Sequence, residues 1–189
     1  MRIIAGKLKG SALYMPKSKY TRPLKDLARE SIFNVLTHSN KISLQLKKSN
    51  ILDLYAGTGS FGLECLSRQA KCVYFIENEK SAFKILEKNI KKLKIKKKTK
   101  VFYNEVFSLI EKRNVLELKF DIIFCDPPFK DTNIKRLIEL IFKKNLLNKN
   151  GIIILHRSKA SKEKLPNYFE IVDERTYGIS KIIFGKLLS

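Results

Sequence analysis

Hydrophobic positions in this chain change period in a regular order between residues 50 and 156. Short apolar runs at Asn50–Leu54, Cys72–Glu77, Thr99–Tyr103, Phe120–Cys125 and Gly151–His156 predict strands. Between them, Phe61–Arg68, Glu79–Leu93, Val106–Arg113 and Thr132–Lys144 space their apolar residues for helices. In the second of these, Phe83, Leu86, Ile90 and Leu93 form one face. Strands alternating with helices predict an α/β fold, a parallel sheet covered on both sides. After a short helix or turn near Ser161–Leu165, Tyr168–Arg175 and Ile179–Leu187 read as two more strands. The Thr176-Tyr177-Gly178 link is too short to hold a crossover helix, so this last pair is predicted antiparallel. The expectation is a mostly parallel, seven-stranded sheet finished by an antiparallel hairpin.

The first 40 residues follow another pattern. Arg2-Ile3-Ile4 and Ala12-Leu13-Tyr14 flank a polar Gly6–Gly10 turn and read as a small hairpin. From Leu24 to Thr37 a helix is predicted, with Leu24, Leu27, Ile32, Val35 and Leu36 apolar and Arg29 and Glu30 among the polar positions. Residues 38–49 form a polar link. The chain has no internal repeat, and residues 1–189 are expected to make one domain with 1–40 as an N-terminal extension.

Two strand ends carry candidate chemistry. Phe120–Cys125 runs into Asp126-Pro127-Pro128-Phe129, where consecutive prolines must end a ladder. That leaves a carboxylate and an aromatic ring on a stiff turn at the sheet edge where open α/β folds bind ligands. After Asn50–Leu54, the glycines Gly57, Gly59 and Gly62 satisfy G-x-G-x-x-G between strand and helix, and Glu77 ends the next strand where it can hold ribose hydroxyls. This pattern suits NAD or S-adenosylmethionine. Asp53, four residues before Gly57, separates them, because a carboxylate repels a pyrophosphate and favours an ammonium and a sulfonium.

Composition adds a partner. The net charge of +21, from 39 basic and 18 acidic residues, predicts a polyanion, with nucleic acid the usual one. Only 8 of the basic residues are Arg, and abundant Lys, Ile and Asn is also what an A/T-rich coding sequence produces. Seven Lys in the ten positions 91–100 read as a solvated helix end or an RNA contact. No apolar run approaches the roughly 20 residues of a membrane span, and the N-terminus lacks a secretory core. Cys65, Cys72 and Cys125, with His38 and His156, have neither zinc nor disulfide spacing, so no metal is expected. A cytoplasmic monomer is the expectation.

Asp53–Glu64, Glu77 and Asp126–Phe129 resemble the class I, Rossmann-like methyltransferases of exocyclic amino groups. The resemblance implies S-adenosylmethionine as cofactor, its methionine end cradled by Tyr55, Ala56, Gly57, Thr58, Gly59 and Gly62. It implies Glu77 and Asn78 at the ribose, and Glu105 with Val106 by the adenine, where the family more often has Asp or Asn. Arg2–Gly10, Arg22-Pro23 and Arg29–Asn34 further resemble the N-terminal extension of the RsmD family, bacterial guanine-N(2)-methyltransferases of 16S ribosomal RNA. The likeness covers essentially the whole chain. It departs at Leu24, at Leu27, and at His156-Arg157-Ser158, which replaces an acidic segment.

That family chemistry suits the turn. Asp126 and the Pro127 carbonyl accept hydrogen bonds from a guanine amine and aim its lone pair at the methyl group, while Phe129 stacks on the flipped base. Pro128 completes the turn. Arg2, Lys7, Lys9, Arg22, Arg29 and Lys130 are the expected phosphate contacts of 16S ribosomal RNA or a small-subunit intermediate. Other classes remain open at this point. They are a DNA-adenine or protein-glutamine methyltransferase, whose motif usually begins with Asn and ends with Tyr, a non-catalytic ribosome-assembly protein, and an NAD oxidoreductase.

Overall fold

The computed structural model describes residues 1–16, 26–42, 44–112, 116, 118–162 and 164–188. Seven strands form one sheet: β1 (Asn50–Leu54), β2 (Cys72–Glu77), β3 (Thr99–Tyr103), β4 (Phe120–Cys125), β5 (Leu147–Ser158), β6 (Phe169–Tyr177) and β7 (Ser180–Leu187). Their order is β3-β2-β1-β4-β5-β7-β6. The first five pair in parallel, and β7 runs antiparallel to both β5 and β6. Five helices are described: α1 (Asp26–His38), α2 (Ser60–Ser67), α3 (Lys80–Lys92), α4 (Val106–Glu111) and α5 (Ile134–Lys143).

Alternation along the strands sorts side chains between two cores. Ile51, Phe124, Ile152, Ile154 and Ile182 pack under α1, α2 and α3, around a stack in which Phe61 lies between Phe33 and Phe124. Leu52, Leu54, Ile123, Cys125, Ile153 and Leu155 pack under α4 and α5. The central strands are buried on both faces, which is why they are mostly apolar, although Asp53 interrupts β1 and Asp121 interrupts β4. From β1 the chain winds outward to β2 and β3, then crosses back to β4 on the other side of β1. The strand order therefore reverses between β1 and β4, and a crevice opens at their C-terminal ends.

The structure refines four expectations. β5 starts at Leu147 rather than Gly151, because exposed Lys149 and Asn150 sit in a register irregularity opposite β4. Of the helix or turn expected near 161–165, a turn closes at Ser158–Ser161 and no helix forms among the described residues. The N-terminal hairpin amounts to one antiparallel bridge, Arg2 to Ala12. Helix α1 buries the expected Ile32, Val35 and Leu36, but Leu27 is 66% exposed and Arg29 is fully buried beside Ile32 and Phe33. The helix start at Leu24 lies outside the described residues.

The extension is fastened to the sheet domain by buried side chains. Glu64 on α2 accepts the amides of Ile4 and Ala5 at 2.7 and 2.9 Å and is paired with Arg68 at 2.9 Å. Asn89 on α3, also fully buried, accepts the Tyr14 amide at 2.8 Å. It donates to the carbonyls of Tyr14 and Thr58 at 3.2 and 3.1 Å. The same asparagine therefore ties the arm to the glycine loop. Each carboxylate or amide satisfied this way fixes main chain that has no ladder partner of its own.

Candidate active site

The turn after β1 and the turn after β4 begin side by side, because Leu54 pairs with Cys125. Between them lies a cavity of about 510 Å³, within the range of cofactor clefts. Its wall combines Tyr55–Thr58, Glu77, Asn78 and Val106 with Asp126–Phe129, and also includes Met15, Pro16 and His156. Residues 70 apart in sequence thus share one site because β1 and β4 are neighbours.

On the first side, Gly57 holds φ +56°, and a Cβ there would project into open space at the cavity wall. A glycine at that place leaves room for a ligand to approach the main chain. Gly62 serves packing instead, since a Cβ would come within 2.3 Å of the Phe75 ring on β2. Glu77 accepts the Gly57 amide at 2.6 Å and the Glu79 amide at 2.7 Å, so it shapes the loop it faces. Burial pushes its carboxyl above the usual range, against the pull of these amides.

Asp53 departs from its expected role. It is nearly fully buried, accepts the Gly62 amide at 3.0 Å, and is not among the residues lining the cavity. Burial raises its carboxyl well above the ordinary value, and the nearby Asp126 and Glu77 charges add to the shift. Glu105 is also off the wall. It caps α4 by accepting the amides of Phe107 and Ser108 at 3.1 and 2.7 Å, and lines a separate groove with Glu111 and Arg136. Gly59 and Gly62 support the loop from behind, while Val106 does reach the cavity.

On the second side, the Asp-Pro-Pro turn is held by β5. His156 Nδ1 lies 2.7 Å from Asp126 Oδ1, and the Phe129 ring meets the imidazole edge-on at 5.5 Å. Arg157, buried in turn, donates to the carbonyls of Pro128 at 3.3 Å and Asp131 at 2.5 Å. Sequence reading missed both roles. The available signal was two ionisable residues ending an otherwise apolar strand.

The expected phosphate contacts divide. Arg2, Lys7, Lys9 and Lys130 are exposed. Arg29 is not available to RNA: its buried guanidinium donates to the Arg2 carbonyl at 2.7 Å and to the exposed Asp26 carboxylate at 2.9 Å. Arg22 lies outside the described residues. Beyond Phe129 a second groove of about 360 Å³ is lined by Lys135, Lys162 and Lys164. In the lysine-rich stretch, Lys92 donates to the Ala12 carbonyl at 2.6 Å and covers the Tyr14 ring, so that lysine serves the arm.

A glycine loop and an Asp-Pro-Pro-Phe turn facing one cavity, on a sheet of this order, define a Rossmann-like methyltransferase. Comparison with known proteins narrows this. A family model described as "Conserved hypothetical protein 95" matches residues 1–186. A "Ribosomal RNA small subunit methyltransferase D" from Haemophilus influenzae is 34% identical over 95% of this chain and 90% of its own length. A "Putative rRNA methyltransferase YlbH" from Bacillus subtilis is 30% identical over 98% of each. A solved structure of a putative methyltransferase, yhhF, from Escherichia coli superposes with a TM-score of 0.85 at 25% identity, covering 100% of this chain and 98% of that one. The chain belongs to the RsmD family of methyltransferases.

Proposed function

We propose that this protein transfers a methyl group from S-adenosylmethionine to the exocyclic 2-amino group of a guanine in small-subunit ribosomal RNA. The observation that carries the reading is the shared cavity, with Gly57 and Glu77 on one wall and Asp126–Phe129 on the other. In a chain of net charge +21, this cavity is walled by three carboxylates, Glu77, Glu79 and Asp126, with a fourth, Asp53, behind them. Such a field suits a sulfonium and an ammonium and opposes a pyrophosphate. It supports S-adenosylmethionine over a dinucleotide. Glu77, with lone pairs left over from its two amide bonds, would hold the ribose, and the open face of Gly57 would admit the methionine end.

When bound, the cofactor supplies an electrophilic methyl group. The chain's own part is to hold the acceptor. Guanine's amine is a poor nucleophile because its lone pair is delocalised into the ring. Asp126 accepts one N–H, the Pro127 carbonyl accepts the other, and together they turn the lone pair toward the donor side. Asp126 then takes the proton released by the methylated nitrogen. Phe129, half-buried at the cavity mouth, would stack on the flipped base. Exposed Arg2, Lys7 and Lys9 on the extension, Lys130 beside the turn, and the lysine groove beyond it would carry phosphates.

Calorimetry tests the donor half: S-adenosylmethionine and its demethylated product should bind at about micromolar Kd, a range typical of cofactor recognition, and NAD should not. Nucleoside analysis tests the acceptor half. Incubation with unmodified 16S ribosomal RNA or small-subunit particles should yield N(2)-methylguanosine. Methyl transfer to adenine or to protein would refute the guanine assignment, and preference for NAD would refute the class.

A further inference from the structure

Beyond the cofactor-binding residues and the acceptor turn, the cavity wall carries Glu79, whose carboxylate caps α3, and one histidine, His156. His156 follows the apolar run Ile152–Leu155 on β5. Leu155 pairs with Cys125 of β4, so the next residues along, His156 and Asp126, emerge together. Strand alternation puts both on the α2 face, with Ile154 and Phe124. There the imidazole Nδ1 lies 2.7 Å from Asp126 Oδ1, and the residue is only 6% exposed, so water does not compete for the contact.

The surroundings determine which atom carries the proton. Nε2 is buried and has no hydrogen-bond partner among the described residues. A hydrogen on Nε2 would be an orphan donor, and an unprotonated Nδ1 would set lone pair against carboxylate. The arrangement that avoids both is a neutral ring with its hydrogen on Nδ1, donated to Asp126. Among the described residues no other group hydrogen-bonds the imidazole. Its β7 register partner is Ile182, Phe129 meets it through a ring edge, and Arg157 turns its guanidinium to the Pro128 and Asp131 carbonyls. Asp53 on β1 interacts with Asp126 through its charge and spends its own hydrogen bond on Gly62.

We propose that His156 is a positioning residue for methyl transfer: its Nδ1–H holds Oδ1 of Asp126, so that Oδ2 alone is presented to the acceptor amine. The inference rests on the reading of Asp126 as that amine's acceptor. A carboxylate free to turn offers either oxygen in many orientations, and tying one of them removes that freedom before substrate arrives. In the reaction the carbon–sulfur bond breaks as the carbon–nitrogen bond forms. The nitrogen becomes positively charged, and its proton passes to Oδ2. The Nδ1 hydrogen stays on the ring.

The test compares His156→Ala with His156→Asn, whose amide N–H can occupy the place of Nδ1–H. The alanine variant should lose about 10–100-fold in kcat, the scale of a small misplacement of a reacting group. Its affinity for S-adenosylmethionine should be unchanged, and asparagine should restore most of the loss. Wild-type kcat in the alanine variant would overturn the proposal. So would an asparagine variant as slow as alanine with cofactor affinity intact. A second readout needs no RNA. The chain has two histidines, and His38→Gln leaves His156 as the only imidazole. Its ¹⁵N spectrum should show a neutral, Nδ1-protonated ring, and an Nε2-protonated ring would overturn the proposal whatever the substrate. A wild-type chain that methylates no ribosomal RNA would overturn the functional reading and the positioning role together.

Discussion

The two walls of the cavity are braced by opposite means. On the donor wall, main-chain amides donate to side-chain carboxylates: Gly57 and Glu79 to Glu77, Gly62 to Asp53. On the acceptor wall, side chains donate to the turn: His156 to Asp126, Arg157 to the carbonyls of Pro128 and Asp131. The reason is covalent. Residues 127 and 128 are prolines, so the turn has no N–H at either position and cannot brace itself from its own backbone. Its support has to come from a neighbouring strand. The donor wall can therefore be written as a local motif, while the acceptor wall depends on what β5 brings alongside.

If the walls have separate tasks, substitutions should separate binding from turnover. Asp126→Ala carries the largest expected effect, a fall in kcat of about 10²–10⁴-fold, the usual worth of a positioned proton acceptor. Calorimetry should find S-adenosylmethionine affinity largely kept. A parallel collapse of affinity would show that the walls are one unit. Glu77→Ala should do the reverse. Losing hydrogen bonds to a charged group is worth about 1.5–3 kcal/mol, so the cofactor Kd should rise roughly 10–100-fold. At saturating cofactor, kcat should change much less. Equal loss in both variants would erase the distinction.

The difference between the walls also explains what could be read from the sequence. The first four strands were legible to the residue: β1, β2 and β4 are buried, mostly apolar runs bounded by polar turns, and the half-exposed edge strand β3 still shows as a short β-prone run. The glycine loop and the proline turn were legible because their local residue types force their backbone. Arg29 was misread because periodicity scores a guanidinium as polar, whereas its one strong tertiary bond, to the Arg2 carbonyl, comes from 27 residues away. Glu64 and Asn89 carried no signal for the same reason: their partners are amides and carbonyls of the arm, which no pattern displays. His156 shows the limit most clearly. Its sequence neighbours describe a strand end, and only the pairing of β5 with β4 makes it a neighbour of Asp126.

Asp53 gives the smallest and most specific separation, because it serves the donor wall without lining the cavity. Burial first, then the charges of Asp126 and Glu77, raise its carboxyl above the ordinary value of 3.8. Glu77 is raised above its ordinary value of 4.5, chiefly by burial. The folded chain therefore binds these protons more tightly than the unfolded chain does. The stability they contribute is present below the unfolded values and is lost as pH rises through the folded ones. Asp53→Asn keeps a side-chain oxygen for the Gly62 amide and removes the titration. Denaturant unfolding between pH 4 and pH 8 should show the variant losing less stability with rising pH than the wild type. Its affinity for S-adenosylmethionine should fall less than that of Glu77→Ala, since a field is lost rather than a contact. An unchanged pH slope would mean that Asp53 is ionised in the fold at no cost. A loss of affinity as large as that of Glu77→Ala would make Asp53 a direct cofactor ligand and move the donor wall one layer deeper into the sheet.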